Sequence, residues 1–385
     1  MIDVYAPADL FPVSADRQLA EELTAALLKA EGVANPGPTH TNNTGAYIHR
    51  MPPSTVSRAT RLLLMTGLAL SSAASAVSLT AESKLDKTQA GYYRFKVGSV
   101  DVTALSDGTL GFEAIEQLTN VKPGEAEKLL DRAYVRSPVE ASMNAFLIHL
   151  GDRLILVDAG TGELLGPKLF KLPESLKNAG YSPEQITDIL VTHVHPDHTG
   201  GLTVGGKKVF PNAIVHMDRR ELAYWTDKSA EENAPEPTRS FFKTVEPTVG
   251  PYIASGSVKT FDGETPLFPG LRSIPGYGHT PGQSYYVLES GGEKMIFWGD
   301  IIHVPDIQFY NPDITIKFDV DSAAAAARRK RDFAAAAKNR TLVAMPHMYF
   351  PGVGHVAREG NHFRWLPLPY LNDAKPVVIE NKRSQ

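Results

Sequence analysis

The sequence of 385 residues contains no cysteine. Disulfides and cysteine-based zinc sites are therefore excluded, so a zinc or iron site in this chain must use histidine and carboxylate ligands. The absence of cysteine is compatible with an oxidising compartment, although it does not require one. The chain has 12 histidines and 43 aspartate and glutamate residues from which such a site can be built.

The chain also lacks an excess of basic charge. Its formal net charge is −4 at pH 7, which gives no support for a nucleic-acid partner. The densest basic block is RRKR at residues 328–331, and we expect it to form the solvated face of a helix. Apolar residues make up 42% of the chain, which is typical of a globular protein that buries a sizeable core.

No apolar run in the sequence is long enough to span a bilayer, which needs about 20 residues, so we expect no stable membrane insertion. The run Leu62 to Leu70 lies between two arginines and an Ala-Ser-Ala sequence at residues 74–76, which is the three-part pattern of a secretory signal peptide. A buried core helix is the alternative. If translation starts at Met51, a signal peptide over residues 51–76 predicts a periplasmic or secreted protein.

Residues 1–50 form a separate extension. Their segment LAEELTAALLKAEG predicts a helix, and the extension resembles a fragment of the tautomerase family, which uses an N-terminal proline as its base. Because the chain begins Met1-Ile2, we predict no catalytic role for this extension. The polar residues 77–90 predict a linker, and the main domain is expected over residues 91–385.

Strand and helix patterns alternate after residue 90. The segment YYRFKVGSVDVTAL predicts a β-hairpin, and LILV predicts a buried strand. Strands followed by helices indicate a layered α/β fold, and two β-rich halves are expected at about residues 91–205 and 206–350. Polar residues follow several strand patterns, where layered α/β folds place their sites; these are Asp158, His193, Asp300 and His347.

The segment THVHPDH, residues 192–198, concentrates residues that bind metals. His193 and His195 alternate along an extended segment, so their side chains point to the same side. Pro196 ends that segment, and Asp197 and His198 lie on a turn that enters a helix. One ion cannot easily take four ligands from so short a piece, whereas two ions about 3.5–4 Å apart can.

Further candidate ligands follow later strands, and they complete two sets that share one carboxylate. We expect the first ion to be bound by His193, His195, His279 and Asp300. We expect the second to be bound by Asp197, His198, Asp300 and His347. Without metal, such a cluster would place poorly satisfied polar groups together. Four other histidines of the main domain are predicted to be structural; they are His149, His216, His355 and His362.

THVHPDH resembles the H-x-H-x-D-H signature of metallo-β-lactamase-fold hydrolases, and the resemblance covers residues 91–365. It implies a four-layer αβ/βα sandwich with two divalent metal ions at one edge of its sheets. The ions are expected to be zinc, with manganese, iron and cobalt as alternatives. The resemblance also implies that Asp158 supports the site and that the protein is a homodimer.

Longer segments are similar to the methyl parathion hydrolase group and its relatives that cleave lactones and aryl esters. The segments are GYYRFKVGSVDVTALSDGT, GYSPEQITDILVTHVHPDHTGGL, FPNAIV, GHTPGQSYYV and FPGVGHV. By this similarity the substrate pocket includes Leu165, Trp225, Phe241 and Phe242, for which ordinary core packing is the alternative. His303 is also expected at the pocket. It is polar where the organophosphate-cleaving member is apolar, which favours lactones or aryl esters as substrates.

The sequence therefore predicts a dinuclear-metal hydrolase that uses a bridging hydroxide to cleave small lactones or aryl esters. Asp197 and Asp300 are the candidate catalytic residues, because either can pass a proton to the leaving group. A phosphotriester hydrolase is the alternative, and a non-catalytic metal-binding protein is the alternative from another class. No basic patch favours a glutathione thioesterase or a nuclease, and the lack of cysteine argues against the best-known β-lactamase type.

Overall fold

The computed structural model describes residues 89–372, and these belong to one compact unit. The tautomerase-like extension over residues 1–50 and the predicted signal peptide over residues 51–76 lie outside the described residues. Most of the predicted linker and the end of the main domain, residues 373–385, also lie outside them. Among residues 89–372, no helix is both long enough and apolar enough to cross a membrane.

Eighteen strands occur in the described part of the chain. In chain order they are β1 (Tyr92–Val97), β2 (Val100–Phe112), β3 (Leu118–Thr119), β4 (Val139–Leu150), β5 (Arg153–Val157), β6 (Asp188–Leu190), β7 (Thr203–Val204), β8 (Lys207–Lys208), β9 (Ile214–Asp218), β10 (Val258–Phe261), β11 (Thr265–Phe268), β12 (Leu271–Pro275), β13 (Ser284–Ser290), β14 (Glu293–Phe297), β15 (Thr315–Ile316), β16 (Leu342–Ala344), β17 (Val353–Glu359) and β18 (His362–Pro367). Most of them form two sheets of seven strands, and two short pairs, β3–β15 and β7–β8, stand apart.

The α-helices are mostly short and lie between the strands. They are α1 (Ala114–Gln117), α2 (Glu125–Arg132), α3 (Leu172–Asn178), α4 (Pro196–Thr199), α5 (Arg219–Trp225), α6 (Lys228–Asn233), α7 (Thr238–Thr248), α8 (Gly250–Ala254), α9 (Pro305–Gln308) and α10 (Ser322–Asn339). The longest, α10, begins where the side chain of Asp321 accepts a hydrogen bond from the N–H of Ala324, as expected of an N-cap residue.

The two sheets follow each other along the chain. The first has the order β1-β2-β4-β5-β6-β9-β10, and the second has the order β11-β12-β13-β14-β16-β17-β18. Strands β1 and β2 form the predicted hairpin, with Val97 opposite Val100 at its closed end. Strands β5, β6, β9 and β10 run parallel, so their carboxyl ends point to the same edge of the first sheet.

The hydrophobic core forms three layers, one between the sheets and one on the outer face of each sheet. In β5, Leu154 and Leu156 pack with residues of α3, α7 and α8 on the outer face. Ile155 and Val157 point the other way and pack with residues of β13 and β14 in the second sheet. On the far side, Phe333 of α10 covers the second sheet. The four-layer αβ/βα sandwich predicted from the sequence is therefore confirmed.

The expected boundary between the two halves, at residue 205, is wrong. Strands β9 and β10 both belong to the first sheet, so the change of sheet comes after residue 261. The helices α5 to α8 form the connection between these two parallel strands. A parallel pair needs a long crossover, and this one keeps β10 in the first sheet although about forty residues separate it from β9.

The basic block at residues 328–331 is helical, as predicted, but it is not entirely a solvated face. Arg329 is buried. Its guanidinium donates hydrogen bonds to the carbonyl oxygens of Ile301, Pro312 and Ile314. These carbonyls lie in irregular segments beneath α10, and a buried carbonyl needs a donor. Arg329 therefore ties the loop after Asp300 to the long helix.

Candidate metal centre

The candidate ligands of the segment after β6 lie on two different backbone conformations. β6 ends at Leu190, and the chain stays extended through His195, which is the N-cap residue of α4 with φ −104° and ψ 159°. Asp197 and His198 then lie in the single turn of α4 that begins at Pro196. The structure therefore places the two pairs of ligand-type residues as the alternation and the proline predicted.

The glycines that follow His198 allow a close approach between two backbone segments. The N–H of Ala159 donates to the carbonyl oxygen of His198 at 2.8 Å, and the N–H of Gly201 donates to that of Gly160 at 3.0 Å. A Cβ atom at Gly201 would lie 2.0 Å from the carbonyl oxygen of Ala159. The two hydrogen bonds hold α4 against the end of β5. The backbones approach so closely there that only glycine fits at residue 201.

The seven candidate ligands come together in two groups that share Asp300. Within each group, the ligand atoms lie within 4.8 Å of one another. The first group is His193, His195, His279 and Asp300, and the second is Asp197, His198, Asp300 and His347. These are the two sets expected from the sequence. The Oδ2 atom of Asp300 lies 3.6 Å from Nε2 of His193 and 3.0 Å from Nε2 of His347.

Unpaired polar atoms in the cluster fit a pair of divalent cations. The Nε2 atoms of His193 and His198 and the Oδ1 atom of Asp300 are buried without a hydrogen-bond partner among the described residues. Each unpaired buried polar atom costs about 1–3 kcal/mol. Imidazole nitrogen and carboxylate oxygen are ligands that zinc, manganese and iron accept. The residues present therefore fit the metal that the sequence predicts.

The electrostatics of the cluster favour positive charge at its centre. Burial lowers the pKa of His193 and His195 well below the usual range, so both rings are neutral, as a metal ligand requires. Burial also acts to lower the pKa of His347, but Asp300 and Asp197 outweigh it and raise this pKa to about 10. The two carboxylates thus favour a cation beside them, and divalent ions would supply that charge.

The imidazoles are oriented by partners on their outer side. Nδ1 of His198 lies 2.8 Å from Oδ2 of Asp158, and Nδ1 of His279 lies 2.7 Å from Oδ1 of Asp319. Nδ1 of His347 donates to the carbonyl oxygen of Ser142 at 3.1 Å. Because these partners accept a hydrogen bond from Nδ1–H, they keep the ring proton on Nδ1 and leave Nε2 free to ligate. Asp158 lies where the sequence resemblance implies, whereas Asp319 and Ser142 were not expected.

A cavity of about 210 Å³ opens directly onto the cluster. Of the five predicted pocket residues, Leu165, Phe241 and His303 line it. Trp225 and Phe242 do not line it; both are buried in the core outside the first sheet. Seven further residues line the cavity, are not candidate ligands and were not predicted from the sequence to line a pocket; they are Leu110, Phe112, Ala141, Met143, Pro196, Pro237 and Phe318.

Apart from the candidate ligands, His303 is the polar side chain among the residues that line this cavity. Its ring stacks on that of His347, with centroids 5.3 Å apart and an interplanar angle of 22°. Its Nε2 atom lies 3.0 Å from Oδ2 of Asp300, but the geometry is not that of a hydrogen bond, and neither ring nitrogen has a hydrogen-bond partner among residues 89–372. Burial lowers the pKa of His303, so its imidazole is neutral. One of its two ring nitrogens then carries a proton and can donate a hydrogen bond beside the cluster.

Two facing sheets, outer helices and paired histidine–aspartate groups at the edge of the sheets define a class of protein. The sequence profile of the metallo-beta-lactamase superfamily matches residues 141–347, which is more than half of the chain. The chain therefore belongs to this superfamily of hydrolases, as the resemblance of its motifs predicted.

Particular relatives agree with this assignment. The solved structure of AbOPH, a hydrolase in the beta lactamase superfamily, is 34% identical, covers 74% of this chain and 100% of its own, and has a TM-score of 0.71. AidC, described as a dizinc quorum-quenching lactonase, is 28% identical, covers 73% of this chain and 99% of its own, and has a TM-score of 0.66.

Curated lactonases match over shorter segments. An N-acyl homoserine lactonase from a Bacillus species is 28% identical over 164 aligned positions, and the match covers 38% of this chain and 57% of that protein. The lactonase AiiB of Agrobacterium fabrum is 24% identical over 136 aligned positions, and the match covers 31% of this chain and 45% of that protein. The chain thus spans about half the length of these curated relatives.

Proposed function

We propose that this chain is a dinuclear-metal hydrolase that cleaves lactones or aryl esters. The observation that carries the proposal is the placement of two four-residue groups, sharing Asp300, beside an apolar cavity. One group offers three imidazoles and a carboxylate, and the other offers two of each. The resemblance to a dizinc lactonase and to N-acyl homoserine lactonases supports this substrate class.

Two bound divalent ions would supply a hydroxide nucleophile near neutral pH and Lewis-acid stabilisation of the negative charge that develops on the substrate oxygen. One ion would be held by His193, His195 and His279. The second would be held by Asp197, His198 and His347. Asp300 belongs to both groups. Zinc is the metal that we expect, with manganese, iron and cobalt as alternatives.

The carboxylates of the site provide the proton path. Both Asp197 and Asp300 line the cavity. The side chain of Asp197 is 16% exposed and that of Asp300 is 2% exposed, so Asp197 is the carboxylate nearer to solvent. We assign to Asp197 the transfer of the proton from the attacking water to the leaving oxygen, and to Asp300 the orientation of the imidazoles around it.

The cavity selects substrate by shape and offers few polar contacts. Phe241 and Leu165 provide apolar surface for the acyl chain or aromatic ring. His303 provides one donor within reach of a group held at the cluster. A lactone or ester carbonyl oxygen can accept this hydrogen bond, whereas the thiophosphoryl sulfur of methyl parathion is a weak acceptor. The phosphotriester therefore remains the second candidate.

Turnover by the purified full-length chain, loaded with zinc or manganese, tests the proposal. The substrates are dihydrocoumarin, N-acyl homoserine lactones, p-nitrophenyl acetate and methyl parathion, and the control is Asp300→Asn. We expect hydrolysis of a lactone or of the aryl ester that is lost in Asp300→Asn. Turnover of methyl parathion alone would favour the phosphotriesterase. Two bound ions without turnover of any substrate would favour a non-catalytic metal-binding protein.

A further inference from the structure

We propose that Glu221 is a positioning residue that holds the two segments carrying the imidazoles of the first metal group in a fixed relation. This inference rests on the proposed metal site. Glu221 lies in the first turn of α5 and is completely buried. Its carboxylate touches no candidate ligand side chain through the hydrogen bonds described, so its role is indirect.

The carboxylate of Glu221 accepts four hydrogen bonds, two on each oxygen. Oε1 accepts from the backbone N–H of Val194 at 2.8 Å and from Nε1 of Trp225 at 2.6 Å. Oε2 accepts from the hydroxyl of Thr280 at 2.7 Å and from the backbone N–H of Gly282 at 2.9 Å. Trp225, one turn later on α5, fixes the direction of the carboxylate, and the other three donors lie on the ligand segments.

These segments belong to different halves of the fold. Val194 lies between His193 and His195, on the extended segment after β6 of the first sheet. Thr280 follows His279 in the loop between β12 and β13 of the second sheet. The loop lies directly on α5, because a Cβ atom at Gly282 would come within 2.2 Å of the backbone nitrogen of Glu221. One side chain therefore joins ligand segments that the chain topology brings from separate sheets.

A buried carboxylate at this position has a free-energy cost that an apolar side chain would avoid, so Glu221 does more than fill space. Glu221 is fully buried, so its carboxylate is out of water, and burial raises its pKa; the four hydrogen bonds offset much of the cost of removing it from water. The second metal group is oriented differently, since Asp158 contacts His198 and the carbonyl of Ser142 accepts from His347. Loss of the Glu221 carboxylate should therefore loosen the first group and spare the second.

The variant Glu221→Gln removes the carboxylate with little change of shape. Its amide group must face either the N–H of Val194 or the N–H of Gly282, so one donor opposes another in both orientations. Changes to the partners that orient metal ligands typically cost about tenfold to hundredfold in metal affinity. We expect a loss of this size for one of the two ions, with the affinity for the other within about twofold of wild type.

The experiment titrates metal-free, full-length protein with Co²⁺ and follows the visible absorption of the bound ion, with a competing chelator to give both affinities. The control is Asp188→Asn. Asp188 is also a buried carboxylate with two partners, His216 and Arg153, but those partners carry no candidate ligand. We expect Asp188→Asn to lower the melting temperature and to retain both affinities and the Co²⁺ spectrum.

Other outcomes overturn the inference in distinguishable ways. If wild type binds fewer than two ions, the proposed metal site fails and the inference fails with it. If wild type binds two ions and Glu221→Gln binds both with unchanged affinity, or loses both equally, the positioning role alone is overturned. If Glu221→Gln does not fold, Thr280→Val decides, because it removes only the hydroxyl donor beside His279 and should weaken the same single ion.

Discussion

Replacing Asp319 by asparagine should weaken the binding of one metal ion by about tenfold to hundredfold and leave the chain folded. Asp319 is buried. Its Oδ1 atom lies 2.7 Å from Nδ1 of His279, and its Oδ2 atom accepts the N–H of Ile316 at 3.1 Å. Because a carboxylate only accepts, Nδ1 of His279 carries the proton and Nε2 is free to face the cluster.

The size of the effect follows from the two ways in which asparagine can lie at this position. If the NH2 of its side chain faces the backbone N–H of Ile316, two N–H donors oppose each other. If the NH2 faces His279, it donates to Nδ1, and the ring proton must then lie on Nε2, the nitrogen that must ligate. Either case loses a hydrogen bond to a charged group, worth about 1.5–3 kcal/mol, and each 1.4 kcal/mol is about tenfold in affinity.

Chelator competition against zinc, with metal-free wild type and Asp319→Asn, measures this loss, and thermal unfolding checks that the variant is folded. Asp321→Asn is the matched control. Asp321 caps α10 by accepting from the N–H of Ala324 at 2.9 Å, and asparagine is an equally good N-cap residue. Asp321→Asn should keep the wild-type affinity. If folded Asp319→Asn also kept it, the outer carboxylate would not control the tautomer of His279, and the reasoning would be refuted.

Three further predictions address the cavity, the core and the backbone. Phe241→Ala should raise KM for p-nitrophenyl hexanoate by about tenfold and change p-nitrophenyl acetate little, because the ring lines the cavity and contributes apolar contact worth about 1–2 kcal/mol; equal effects on both esters would contradict this. Burial raises the pKa of Tyr252 to about 12, whereas an unfolded phenol ionises near 10. The stability that Tyr252 contributes is therefore present below pH 10 and is lost as the pH rises from about 10 to about 12. Urea unfolding should show wild type losing about 1.4 kcal/mol more than Tyr252→Phe between pH 8 and pH 11, and equal losses would count against it. Gly201→Ala should lower the free energy of unfolding by roughly 2–3 kcal/mol, because its methyl group would meet the carbonyl oxygen of Ala159; an unchanged melting temperature would disprove this.

The candidate ligands could be predicted from the sequence because their geometry is largely local. Alternation in an extended segment places His193 and His195 together, and Pro196 turns the chain before Asp197. His279, Asp300 and His347 each follow a strand of the second sheet, as the strand patterns indicated. The continuous apolar run of β5 also indicated a strand that is buried on both faces, as the layered fold requires.

The walls of the cavity could not be predicted, because they depend on how distant strands bend. Leu110 and Phe112 of β2 face the cavity, after the register of β2 against β4 shifts between Ser106 and Gly108. Such a bulge redirects the side chains that follow. The sequence contains no signal for the position of this shift, so the alternation pattern of β2 could not be assigned to core or cavity beyond it.

Aromatic residues near the site show the same limit at closer range. Phe241 and Phe242 are neighbours on α7, and successive residues of a helix point about 100° apart. The structure turns Phe241 to the cavity and Phe242 to the core, where Trp225 packs against it with ring centroids 4.6 Å apart. The direction of the helix relative to the sheet decides between them, and this direction is set by tertiary packing.

Five carboxylates in and around the cluster connect the fold to its proposed chemistry. Asp197 and Asp300 lie in the metal groups, and Asp158, Glu221 and Asp319 hold the ligand segments from outside. Burying so many carboxylates is unfavourable unless cations or hydrogen bonds compensate them. Two divalent ions would bring four positive charges against the five negative charges of these carboxylates. The ions that would activate water would therefore also offset most of the buried negative charge. A change from carboxylate to amide at an outer position is thus expected to alter metal binding before it alters the fold.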